Sequence, residues 1–205
     1  SDDLSSRSVD SVVSSGSTAY RGSGRGPLAM LTGIQLLGTG AYVPETVVSN
    51  EDLAELGCDA QWIIQRTGIR QRRHAAAHEA TSDLVYEAAV RGLRNAGVSS
   101  QDIDLILVAT MTPDTFTPSV ACTVQRRLGA VAPAMDINAA CSGFVYALVT
   151  GMQFIKTGCS RRVLVVGSDV MSRIVNPADK KTYPLFGDGA GAAVLGAGDE
   201  AQGLL

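Results

Sequence analysis

Met135-Asp-Ile-Asn-Ala-Ala-Cys141-Ser-Gly-Phe-Val-Tyr-Ala-Leu148 is the stretch on which the fold turns. Ala134 to Ile137 reads as a short strand, and Ser142 to Lys156 as a helix. Phe144, Ala147, Leu148, Met152 and Ile155 fall on one stripe of that helix, and Gly158 closes it. Between them lie small residues and a cysteine at the helix start. A helix N-terminus carries partial positive charge and free N–H groups, which favour a thiolate. Its backbone N–H groups can also hold an oxyanion. On residue type alone two readings stay open for Cys141, because a free cysteine also serves as a small hydrophobe.

The pattern repeats outward. Downstream, Val163 to Val166 and Gly191 to Leu195 read as buried strands. Upstream, Ile103 to Ala109 is a near-continuous apolar run, as expected of a strand covered on both faces. Pro118 to Leu128 reads as a helix stopped by Gly129. Thr81-Ser-Asp83 opens a longer helix that Gly97 ends, and Gln61 to Arg66 is a shorter one ending at Gly68. Glu51 to Leu56 is a short capped helix with acid in its first turn. Leu31 to Leu37 reads as a strand, with Gly38-Thr-Gly40 as its turn. Strands alternating with helices predict an α/β layered sheet with helices on both faces.

Composition narrows the function. The chain has 205 residues, 45% hydrophobic and 18% charged, which excludes a disordered or fibrous polymer. The net charge of −3 offers no basic excess to neutralise phosphates, so nucleic acid is not the expected partner. No run of about 18 apolar residues occurs, so no membrane span is expected. Cys58, Cys122, Cys141 and Cys159 form no C-x-x-C pair, as expected of free thiols in a reducing, cytoplasmic setting. His74 and His78 are the only histidines; they could share a helix face toward a metal, but a solvated surface segment is the plainer expectation. Residues 1–29, rich in Ser and Gly, read as a disordered leader, and residues 30–205 as the folded part.

Several motifs together resemble one family. They are Gly38-Thr-Gly40-Ala-Tyr-Val-Pro44, Trp62-Ile-Ile-Gln-Arg66-Thr-Gly-Ile-Arg70, Asp136 to Phe144, Val165-Val-Gly-Ser-Asp169 and Phe186-Gly-Asp-Gly-Ala-Gly-Ala192. In this order they resemble the β-ketoacyl-acyl-carrier-protein synthase III family. The resemblance implies a thiolase-like layered α-β-α fold of two pseudo-symmetric halves, of which this chain is the first. It implies that Cys141 takes an acyl group from a short acyl-CoA and that malonyl-acyl-carrier protein then condenses with it to start fatty acid synthesis. No metal and no permanently bound cofactor is implied; acyl-CoA is a substrate.

The resemblance also assigns lesser roles. Trp62 and Arg66 lie one helical turn apart. By residue type they are a core residue and a surface charge. By resemblance, Trp62 stacks on the CoA adenine and Arg66 lies near its phosphates. Lys180 stands where relatives carry an arginine that closes the other side of the adenine, and a lysine stacks less well. Thr117 matches the position that reaches into a twin's acyl pocket, which implies a homodimer. Gly187-Asp-Gly189-Ala-Gly191 has the wrong spacing for a dinucleotide fingerprint, and its glycines are expected to let backbone pass near the nucleophile.

The family's catalytic His and Asn lie in its second half. The resemblance therefore implies a fragment, an interrupted gene product or one subunit of a split enzyme, with the C-terminal half on another chain. Condensation by this chain alone is not expected. The alternatives are a starter-loading acyltransferase of a polyketide pathway and a non-catalytic subunit of a split ketosynthase.

Overall fold

The structure is a computed structural model that describes residues 31–57, 59–201 and 203. The expected leader at 1–29 and Cys58 lie outside the described residues. The elements run β1 (Ile34–Tyr42), β2 (Thr46–Ser49), α1 (Ala60–Thr67), β3 (Gln71–His74), α2 (Thr81–Ala96), β4 (Leu105–Ala109), α3 (Val120–Leu128), β5 (Ala134–Ile137), α4 (Gly143–Lys156), β6 (Arg162–Val170) and β7 (Asp188–Ala197). Five strands form one sheet in the order β1-β7-β6-β4-β5. β4 runs parallel to β5 and β6, whereas β7 is antiparallel to β6 and β1. β2 and β3 form a separate antiparallel pair.

Alternation along the strands splits the core in two. Ile106, Val108, Leu164, Val166 and Val194 face α2 and α3, whereas Leu105, Leu107, Val163, Val165 and Leu195 face α4. This is the layered α-β-α arrangement expected. α2 opens where Asp83 accepts a hydrogen bond from the Ala80 N–H at 2.8 Å, and closes at Gly97 in the left-handed region.

Three expectations need correction. Gly38-Thr-Gly40 is no turn; it lies inside β1, which continues to Tyr42. The glycines are there because α2 lies on the strand. A Cβ on Gly40 would stand 2.3 Å from both the Ala88 carbonyl oxygen and the Gly92 nitrogen. The α4 stripe holds at Ala147, Met152 and Ile155, which are buried, and at Leu148, which packs against them, but Phe144 stays 36% exposed. Finally, His74 and His78 share no helix. His74 is the last residue of β3 and His78 lies exposed in the following turn. Among the described residues no cluster of His, Cys, Asp and Glu could hold a metal ion. No described helix is long and apolar enough to cross a membrane.

Candidate active site

The chain leaves β5 at Ile137 and reaches α4 through a tight crossing. Ala140 adopts φ +48°, a left-handed conformation that costs energy for any residue with a Cβ. A single 3-10 turn, Ala140–Ser142, then leads into α4. Cys141 sits on this turn, two residues before the α-helix starts, with a free and exposed thiol. Strained backbone of this kind concentrates where a side chain must be presented. A Cβ on Gly143 would lie 3.3 Å from the Ala109 Cβ, so the first turn of α4 sits directly on the end of β4.

Cys141 opens on a cavity of about 360 Å³ lined by Ala109, Ala140, Phe144, Gly167, Asp169, Gly189 and Gly191, among others. Small residues make the space. Phe144 lies on Gly167, where a Cβ would come within 3.0 Å of the ring. A side chain on Gly191 would meet no atom within 4 Å. Gly189 and Gly191 of the Phe186 to Ala192 motif thus belong to β7 and line the space beside the thiol, whereas Gly187 precedes the strand and lies against Arg72 and Arg73.

Asp169 is the charged group in this wall. Its Oδ1 accepts hydrogen bonds from the Met111 N–H at 2.8 Å and from the hydroxyls of Thr110 and Thr112, each at 3.1 Å. These ties hold the segment after β4, which forms a neighbouring cavity of about 660 Å³ with Phe116, Met135 and Ile174. Phe116 is fully exposed on its rim, next to Thr117. In the sequence the only local signal of Asp169 is an acidic residue at the end of an apolar buried strand.

The other candidate residues lie elsewhere. Trp62, Arg66 and Lys180 do not line the Cys141 cavity. α1 is capped by Asp59, whose Oδ1 accepts from the Trp62 N–H at 2.9 Å. It buries Ile63 against Leu53 and Tyr183 and turns Trp62 outward, 45% exposed. Trp62 is therefore not a core residue. The Arg66 guanidinium lies 5.8 Å from the Trp62 ring centre, as the one-turn spacing predicts. Lys180 is exposed, in a turn whose Asp179 carbonyl accepts from the Tyr183 N–H at 2.9 Å. Tyr183 and Ile63 pack on the same small cluster, so the Lys180 turn is anchored beside α1.

Two buried polar residues brace this corner. Asp188 accepts from the Ala75 N–H at 2.7 Å and from the Ser172 N–H and hydroxyl at 2.8 and 2.6 Å. Arg72 donates to Val48, Asn50 and Pro184. Sequence reasoning named neither role.

A family model described as 3-oxoacyl-[acyl-carrier-protein (ACP)] synthase III matches residues 135–205. A β-ketoacyl-[acyl-carrier-protein] synthase III of Rhodopirellula baltica is 69% identical over 165 residues, which are 80% of this chain and 48% of that protein. The crystal structure of 3-oxoacyl-[acyl-carrier-protein] synthase III from Aquifex aeolicus superposes with TM-score 0.80 at 44% identity, covering 82% of this chain and 55% of that one. The priming β-ketosynthase of the R1128 polyketide biosynthetic pathway superposes with TM-score 0.79 at 40% identity, covering 81% and 50%. The chain thus spans about half the length of the relatives it matches.

Proposed function

We propose, from the premise that this chain belongs to the 3-oxoacyl-[acyl-carrier-protein] synthase III family and has its thiolase-like fold, that it performs the acyl-loading step of such an enzyme. The carrying observation is Cys141, an exposed thiol on a strained turn at the start of α4, facing a cavity walled by glycine and alanine. The Cys141 thiolate attacks the carbonyl carbon of a short acyl-CoA. The new carbon–sulfur bond raises an oxyanion, for which the backbone N–H of Cys141 is the proposed donor, since the N–H groups of Ala140, Ser142 and Gly143 already donate to Asn138, Ala139 and Ala140. The bond to CoA sulfur then breaks, and CoA leaves as a thiolate that takes up a proton. A thiol is both nucleophile and leaving group here, so the step needs no metal or redox partner.

Trp62, Arg66 and Lys180 are proposed to receive the CoA nucleotide. The exposed indole with a guanidinium beside it supports this, because such a pair matches a purine next to phosphates. Condensation with malonyl-acyl-carrier protein is assigned to a protein that also carries the family's His and Asn. A homodimer is proposed as well. β5 is an edge strand, and the fully exposed Phe116 stands on the rim of the cavity beside it. These substrates imply a cytoplasmic setting.

The test is intact mass after incubation with acetyl-CoA. One acetyl group is expected on the unaltered chain and none on Cys141→Ala. No adduct from any acyl-CoA on folded chain would reject the loading step. The likeness to the R1128 priming ketosynthase supports a second reading, in which the acyl group starts a polyketide. A donor series separates the two: preference for longer or branched primers over acetyl favours the polyketide role.

A further inference from the structure

Arg72 is 6% exposed, yet among the described residues no carboxylate pairs with it. Burial draws its pKa down, although a guanidinium keeps its charge at any physiological pH. Among the described residues its Nε has no hydrogen-bond partner. A buried charge paired this incompletely is a poor stabilising device. What the guanidinium does hold is informative.

Nη2 donates to the Pro184 carbonyl at 2.9 Å and to the Asn50 side-chain oxygen at 2.8 Å, while Nη1 donates to the Val48 carbonyl at 3.2 Å. Pro184 lies in the short 3-10 turn, Tyr183–Leu185, that follows the Lys180 turn. Asn50, 1% exposed, passes the connection on. Its amide nitrogen donates to the Ile69 carbonyl at 2.8 Å and reaches the Ala60 carbonyl at 3.5 Å. Ala60 is the first residue of α1 and Ile69 lies two residues past its end, so the two carbonyls bracket the helix that presents Trp62 and Arg66. One planar fork thus joins the Lys180 turn to both ends of α1. Two hydrogen bonds from a single nitrogen and a third from its neighbour fix an angle as well as a distance.

We propose that Arg72 is a positioning residue that sets the spacing between the two walls of the nucleotide site, Trp62 and Arg66 on one side and Lys180 on the other. The inference rests on the assignment of that corner to acyl-CoA. Arg72 touches neither the nucleotide nor Cys141. It governs how well the nucleotide is gripped, and leaves the chemistry at the thiol alone.

The experiment compares two donors on the 205-residue chain: acetyl-CoA, and acetyl-pantetheine, which lacks the nucleotide. Acetylation of Cys141 is followed by intact mass over time and donor concentration. Arg72→Met is expected to raise the half-saturating acetyl-CoA concentration about tenfold, with the limiting rate little changed. Acetyl-pantetheine should react with the variant at the unaltered rate. Arg72→Lys keeps the charge but cannot form the fork, and should lose several-fold on acetyl-CoA alone. It also serves as the reading if Arg72→Met does not fold. Equal losses on both donors, or no loss on either, would overturn the inference while leaving the loading step intact. An unaltered chain that neither donor acetylates would overturn both.

Discussion

The sheet body and the corner that carries α1, β2, β3 and the 171–187 segment are held together differently. In the body, two apolar clusters fill the space on either side of the sheet, and strands β4 and β6 are buried almost throughout. In the corner the apolar cluster has, among the described residues, two buried members, Leu53 and Ile63. The rest of its cohesion is polar: Arg72 with Asn50 and Pro184, Asp188 with Ala75 and Ser172, and Arg173 with the carbonyls of Ala76, Ala77 and Glu79. Apolar burial is non-directional and broadly tolerant, whereas hydrogen bonds in a small cluster depend on each partner. The nucleophile is therefore mounted on the apolar body and the proposed nucleotide grip on the polar corner, which is expected to open separately.

The largest expected effect lies in the body. Gly40→Ala should cost about 3 kcal/mol, because backbone of α2 occupies the place of the new methyl and no rotamer change relieves it. Urea unfolding reads this as a lower midpoint with an unchanged slope. By contrast, the atoms nearest a Cβ on Gly151 of α4 are side-chain methyls of Val163, Val165 and Leu195, at 3.1 to 3.4 Å, which can yield. Gly151→Ala should be far milder, since the gain in helix propensity offsets the crowding. Similar losses at the two sites would break this account of how α2 seats on β1.

Next comes the joint between the two regions. Asp188 is buried at the first residue of β7, where it accepts three hydrogen bonds from two corner segments. Asp188→Ala should cost about 2 kcal/mol, since charged hydrogen bonds are worth more than neutral ones and the buried donors are left unpaired. Amide hydrogen exchange sharpens the comparison. Protection should fall across residues 71–79 and 171–187 and hold in β4 and β6. Uniform loss through both regions would mean that the corner is no separate unit.

The body was largely legible in sequence because its signals are local. β5 lies at Ala134–Ile137 as expected, and α2, α3 and α4 end at or next to the glycines expected to stop them. β1 misled because strand glycines that admit a helix look like turn glycines until the helix is in place. The corner was mostly illegible. β3 is Gln-Arg-Arg-His, which has no apolar alternation to reveal a strand. Its braces act over long separations, Arg72 to Pro184 across 112 positions and Asp188 to Ala75 across 113. Cys141 was readable from its small neighbours and its helix start. The geometry that holds the Lys180 turn beside α1 was not.

The smallest expected effect concerns acid. His74 ends β3 with its ring edge-on to Tyr183, centroids 5.8 Å apart, and its Nε2 is buried without a partner among the described residues. Burial lowers the imidazole pKa below its ordinary value, and the nearby Arg72 charge acts in the same direction; Asp188 and a backbone hydrogen bond to Phe186 oppose them. The unfolded chain therefore takes up a proton near pH 6.5, while the folded chain resists until the pH is lower. Stability contributed by neutral His74 is complete above about pH 6.5 and declines as pH falls toward the folded value. Glu79, Asp52 and Asp179, whose pKa values are lowered, add their own losses only near and below the ordinary carboxylate range. A series of urea midpoints between about pH 7.5 and 5 therefore isolates the histidine. His74→Phe keeps a ring against Tyr183 and removes the titration, so its midpoint should stay flat where that of the unaltered chain declines. Parallel declines in the two proteins would show that the corner tolerates charge at His74, and that its polar braces are less exacting than their geometry implies.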